Sequence, residues 1–123
     1  MMLRTSIVMR GLGLAVLFGA MAWPAVALAQ DDNYGAIATS PSGQYGFSYD
    51  YSTQDEAESA ALDQCGADDC ESRVWFVNSC GAVAHSADYA GWGLGDTEDE
   101  AQANALDALD GDGDIVAWAC TTR

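Results

Sequence analysis

Lysine is absent from this chain of 123 residues, and the four basic side chains are all arginines, set against 19 acidic ones. Two of those arginines, Arg4 and Arg10, sit near the start, so only Arg73 and Arg123 accompany the acidic residues, every one of which follows position 29. A surface of this kind repels nucleic-acid phosphates and anionic lipid, which excludes both as direct partners. Histidine is nearly missing as well, with His85 alone. Zinc sites draw on closely spaced Cys and His pairs, so one His and cysteines five apart at Cys65 and Cys70 argue against zinc. No Gly-x-Ser-x-Gly elbow is present. His85-Ser86 with Asp88 supplies the residue types of a hydrolytic triad, but a triad is a matter of geometry and not of adjacency.

Long apolar runs are also scarce. Gly11 to Trp23 is one uninterrupted stretch of 13 apolar and small residues, preceded by Arg4 and Arg10, broken by Pro24 and followed by Ala27-Leu28-Ala29. This is the pattern of a cleaved export signal over residues 1–29. A membrane span needs roughly 20 apolar residues, which the run does not reach. The mature protein is expected to span residues 30–123, to be exported to the periplasm or secreted, and not to insert into a membrane after cleavage. Its two arginines against 19 acids give a net charge of minus 17. Such charge keeps a protein dispersed, and it attracts basic proteins or peptides and speeds their encounter at low salt. Nothing in the chain indicates an oligomeric state.

What is present is a repeat. Tyr34-Gly35-Ala36-Ile37-Ala38 returns as Cys80-Gly81-Ala82-Val83-Ala84, Gly46-Phe47 as Gly91-Trp92, Thr53-Gln54-Asp55-Glu56-Ala57 as Thr97-Glu98-Asp99-Glu100-Ala101, and Ala61-Leu62 as Ala105-Leu106. One supersecondary unit is used twice, over about 34–79 and 80–120. In the first copy, Tyr34 to Ser40 and Gln44 to Tyr51 flank Pro41-Ser42-Gly43 and read as a hairpin. Thr53 and Glu56, like Thr97 and Glu100, form a capping-box pattern at a helix start. Ala57, Ala61 and Cys65, like Ala101, Ala105 and Leu109, recur every four residues and give each helix a small-residue face. Strands at Arg73 to Asn78 and Ile115 to Cys120 close the units. The expectation is an α+β domain of duplicated strand-strand-helix-strand units, with about six mostly antiparallel strands and both helices on one face. Trp75, Trp92 and Trp118 then either complete the core or form a binding patch on the face without helices.

Export places the four cysteines in an oxidising compartment, where an even number in a short chain indicates disulfides. Of the three possible pairings the repeat selects one. Cys80 follows the last strand of the first copy as Cys120 closes that of the second, whereas Cys65 and Cys70 match Leu109 and Asp114 and are therefore missing together from the second copy. Joint absence predicts Cys65 with Cys70 and Cys80 with Cys120. Where the second copy lacks its crosslink stands Asp110-Gly111-Asp112-Gly113-Asp114. Alternating carboxylates on a flexible loop suit calcium, which takes several oxygen ligands. A full helix-loop-helix site is rejected, since Ile115 stands where that loop needs Gly and Thr121 where it needs Glu. Asp110, Asp112 and Asp114 thus form a weak calcium candidate, and no other cofactor is expected.

The order and spacing of Tyr34-Gly35-Ala36-Ile37-Ala38, Cys80-Gly81-Ala82, Gly91-Trp92-Gly93, Glu100-Ala101 with Ala105-Leu106, and Ala117-Trp118-Ala119-Cys120 resemble the bacterial exported domain-of-unknown-function family number four-one-eight-nine. The resemblance implies a small, cysteine-bearing exported module with no reaction to carry over. The function expected is binding, to a protein or peptide in the envelope or outside the cell. The alternatives are a structural or stress-related envelope protein without a specific ligand, and a small hydrolase using carboxylates or His85.

Overall fold

The computed structural model describes residues 32–122, so the expected signal segment, 1–29, lies outside the described residues. Eight elements follow in order: β1 Tyr34–Thr39, β2 Tyr45–Tyr51, α1 Gln54–Cys65, β3 Glu71–Val77, β4 Cys80–His85, β5 Ala90–Gly95, α2 Glu98–Asp107 and β6 Asp114–Cys120. The strand-strand-helix-strand unit occurs twice, and every strand pairing is antiparallel.

In place of one sheet carrying both helices on a single face, the strands form two three-stranded sheets, ordered β2-β1-β3 and β5-β4-β6. The physical reason is the composition of the central strands. β1 and β4 are buried along nearly their whole length, so each must be covered on both faces. Ala36 and Ala38 meet Ala57, Ala61 and Cys65 of α1 on one side. Ala82 and Ala84 meet Ala101 and Ala105 of α2 in the same way. The opposite faces pack on each other, where Ile37, Val74, Phe76, Val83, Ala117 and Ala119 form a shared core. The result is four layers, helix-sheet-sheet-helix, with each helix on an outer face.

The helices come close because the hairpin strands offer them glycine. A Cβ built on Gly46 would run into the α1 backbone at Ala61 and Cys65, and one on Gly93 would lie 2.7 Å from the Ala101 carbonyl oxygen of α2. Each helix starts as its sequence predicts, with the Thr53 and Thr97 hydroxyls accepting from the Glu56 and Glu100 amides at 3.2 Å. The return half of the capping box is altered: the Glu100 carboxylate accepts from the Asp96 amide at 2.9 Å, one residue before the cap. α1 ends on Gly66 in the left-handed region.

Two contacts fix how the sheets stack. The His85 ring lies 3.1 Å from the Thr39 hydroxyl, joining the last residues of β4 and β1. At the other end, the Phe76 ring fills the space above both Gly35 and Gly81, where a methyl group would overlap it. The central strands therefore run parallel to one another across the sandwich, related by the duplication. It follows that β2 lies over β6 on one side and β3 over β5 on the other.

Candidate functional site

The open sides of this sandwich are its most distinctive surface. On one side a groove of about 560 Å³ is lined by Tyr45, Phe47 and Tyr49 of β2 and by Val116 and Trp118 of β6. On the other, a groove of about 600 Å³ is lined by Trp92 and Leu94 of β5 and by Arg73, Trp75 and Val77 of β3. The duplication relates the two: Gly46-Phe47 corresponds to Gly91-Trp92, and Trp75 to Trp118. Trp75, Trp92 and Trp118, which the sequence left between core and surface, are between 41 and 48% exposed. Trp75 and Trp118 pair with Ala36 and Ala82 and so lie on the outer faces beside the helices, whereas Trp92 pairs with Val83 and faces the other sheet. All three stand on edge strands.

The local reason is a period-two alternation of large and small residues. Tyr45-Gly46-Phe47-Ser48-Tyr49 turns its small residues to α1, where the Ser48 hydroxyl donates to the Ala57 carbonyl at 2.6 Å, and its aromatics to the side groove. Gly91-Trp92-Gly93-Leu94 does the same beside α2. Each helix also sends an amide to its hairpin strand: Gln64 Oε1 accepts from the Phe47 N–H, and Asn104 Nδ2 donates to the Leu94 carbonyl. Tyr45, Phe47, Tyr49 and Leu94 escaped the sequence reading, although their alternation was the available signal.

A polar cluster closes one end of the sheet-to-sheet core. Arg73 Nε donates to the Thr39 hydroxyl at 3.0 Å, the same hydroxyl that meets His85, and Arg73 also pairs with Glu71 at 3.0 Å. Burial pushes the His85 pKa below its ordinary 6.5, and the Arg73 charge lowers it further. His85, Ser86 and Asp88 are neighbours around a shallow pocket with Tyr89 and Trp92. They do not form a nucleophilic relay. The Ser86 hydroxyl accepts from the Asp88 and Tyr89 amides of its own turn, and the His85 ring bonds to Thr39.

The structure bonds Cys65 to Cys70 and Cys80 to Cys120. The first closes the passage from α1 to β3, and the second links facing residues of β4 and β6. Asp110 and Gly111 both adopt positive φ, 56° and 79°, just past α2, while Asp114 begins β6. Among the described residues no group of three or more His, Cys, Asp or Glu side chains converges to hold a metal ion, so Asp110, Asp112 and Asp114 are not gathered into a calcium site. No described helix is long and apolar enough to cross a membrane.

Comparison with known proteins gives relatives but no activity. A family model described as "Domain of unknown function (DUF4189)" matches residues 34–120. Protein Rv1269c of Mycobacterium tuberculosis is 44% identical over 89 residues, covering 72% of this chain and 70% of that one. Uncharacterized protein Rv1813c of the same organism is 41% identical over 88 residues, covering 72% of this chain and 60% of its own length. The NMR structure of Rv1813c is similar to this fold, with a TM-score of 0.56 at 37% identity over 80% of this chain and 78% of that one.

Proposed function

The chain belongs to the family described as domain of unknown function DUF4189, and from that premise we propose that it is an exported binding module for a basic protein or peptide in the cell envelope or outside the cell. One observation carries the reading: large aromatic side chains are held half-exposed along the sandwich sides of a chain that has no lysine and 19 acids. Exposed aromatics on a small stable scaffold are characteristic of recognition surfaces, where they supply contact area at little entropic cost. The surrounding charge favours cationic partners and disfavours a second copy of the same chain. Two disulfides and a pattern of export residues at the start support an oxidising location.

The test uses two synthetic peptides that alternate valine with lysine or with glutamate. By isothermal titration the lysine peptide should bind at low salt and weaken steadily as salt rises, because screening removes the attraction between exposed charges. The glutamate peptide should not bind. Absence of binding to the lysine peptide, or equal binding of both, defeats the proposal.

A further inference from the structure

The duplication makes two side grooves, yet it does not make them alike in charge. The groove between β2 and β6 is lined by Tyr45, Phe47, Tyr49, Val116 and Trp118, with no charged side chain among its walls. In the sister groove the position corresponding to Val116 is Arg73, the one cationic side chain among the described residues. Resting on the reading of a basic partner, we infer that the partner seats in the β2/β6 groove, and that Arg73 closes the sister groove to it.

Three observations converge on this assignment. Three aromatic rings of β2 face Val116 across the β2/β6 groove, while Trp118, paired with Ala82, turns its indole to the α2 side of β6. Ring faces attract Lys and Arg side chains when no competing cation is near. The groove also has a carboxylate at each end. Tyr45 pairs with Thr39 and Asp114 pairs with His85, and since Thr39 touches His85, the exposed Asp114 belongs to the Tyr45 end. Asp50 belongs to the opposite end, where its carboxylate accepts from the Thr122 amide at 2.9 Å. An extended segment as long as β2 and β6, 7 residues each, would thus lie over apolar rings with its ends beside Asp50 and Asp114. In the sister groove, by contrast, the guanidinium of Arg73 is held in place by Thr39 and has already engaged the nearest carboxylate, Glu71. An entering cation there meets a fixed like charge.

The experiment uses a seven-residue peptide with lysine at both ends and alternating valine and threonine between them, matched to the strand length. Backbone amide shifts of the labelled wild-type protein are followed on titration, with calorimetry for stoichiometry. Expected are one site per chain and shift changes concentrated in β2 and β6. Tyr49→Ala, at a position 48% exposed, should weaken binding about tenfold, as loss of a desolvated cation–π and apolar contact would. Arg73→Gln should expose a second site and raise the stoichiometry to two. Shift changes centred on β3 and β5 in the wild type, or two wild-type sites, overturn the assignment while leaving the broader reading of a basic partner intact. An Arg73→Gln protein that folds and still binds one peptide overturns the blocking role. If the wild type binds no peptide at all, the basic-partner reading itself fails and this assignment falls with it.

Discussion

Phe76 is the residue on which the union of the two sheets depends most. It is 1% exposed and is the largest fully buried side chain among the described residues. Its ring occupies the gap above Gly35 and Gly81, one glycine from each central strand, while the corresponding position of the second copy holds the small Ala119. One large residue against one small one lets identical units pack without collision at their shared axis. Phe76→Ala should therefore lower stability by about 3 to 5 kcal/mol, the range for emptying a buried aromatic site. Chemical denaturation checks it, and a loss below 1 kcal/mol would remove Phe76 from this role. At the other end of the same axis stands His85. Its folded pKa is below the ordinary 6.5 through burial first and Arg73 second, with Asp114 opposite it across the β4/β6 pairing and Asp88 in the next turn. A base whose pKa is depressed by folding gives up stability as pH falls. The contribution is intact above 6.5, declines below that value and levels off once pH passes the folded pKa. Melting temperatures of the wild type should show this decline against a His85→Gln reference between pH 7 and 5. Parallel curves for the two proteins would contradict it.

At the scale of elements, the disulfides divide the work unequally. Cys80 and Cys120 are 40 residues apart and tie the first strand of the second unit to its last, whereas Cys65 and Cys70, 5 apart, secure one corner. Chain entropy alone assigns about 4 kcal/mol to the longer loop and about 2 to the shorter. Paired Cys→Ser variants compared by urea denaturation should show the larger loss for Cys80 and Cys120. The reverse order would mean that local helix-end packing outweighs loop closure. Most element boundaries were legible in the sequence to within a residue or two, because Thr53 and Thr97 cap helices by local hydrogen bonds and Pro41-Ser42-Gly43 turns a hairpin by local backbone preference. The exit of α2 was less so. Leu109 continues the four-residue spacing of Ala101 and Ala105, yet the helix ends at Asp107 and the chain turns through Asp110 and Gly111 at positive φ. Without the Cys65–Cys70 crosslink of the first copy, that corner is held by local turns: the Gly111 amide donates to the Leu106 carbonyl at 2.9 Å.

For the molecule as a whole, stacking the two sheets converts a duplicated sequence into a sandwich with two related sides. Central strands are covered twice, and edge strands are covered once. The aromatic residues on those edges are left half-exposed because three strands are too few to wrap them. Open edges and exposed rings invite self-association. Here the opposing term is charge, since 19 acids against four arginines make two copies repel at low salt. On the proposed reading the same field that separates like chains would draw in a cationic strand, so charge sign and salt dependence test it together.

The sequence by itself determined the repeat, the type and order of the elements, their caps and the acidic balance, because each depends on residues close in the chain or on simple counts. It also pointed to Cys65 with Cys70 and Cys80 with Cys120, through what the second copy lacks. Only the tertiary structure decided that six strands divide into two sheets, that the helices lie on opposite outer faces, and that Tyr45, Phe47, Tyr49 and Trp118 line one groove while Arg73 stands in its sister. Those outcomes depend on which face of Ala36-Ile37-Ala38 and of Ala82-Val83-Ala84 meets which neighbour. A strand of small apolar residues buried on both sides carries no alternation that could reveal it.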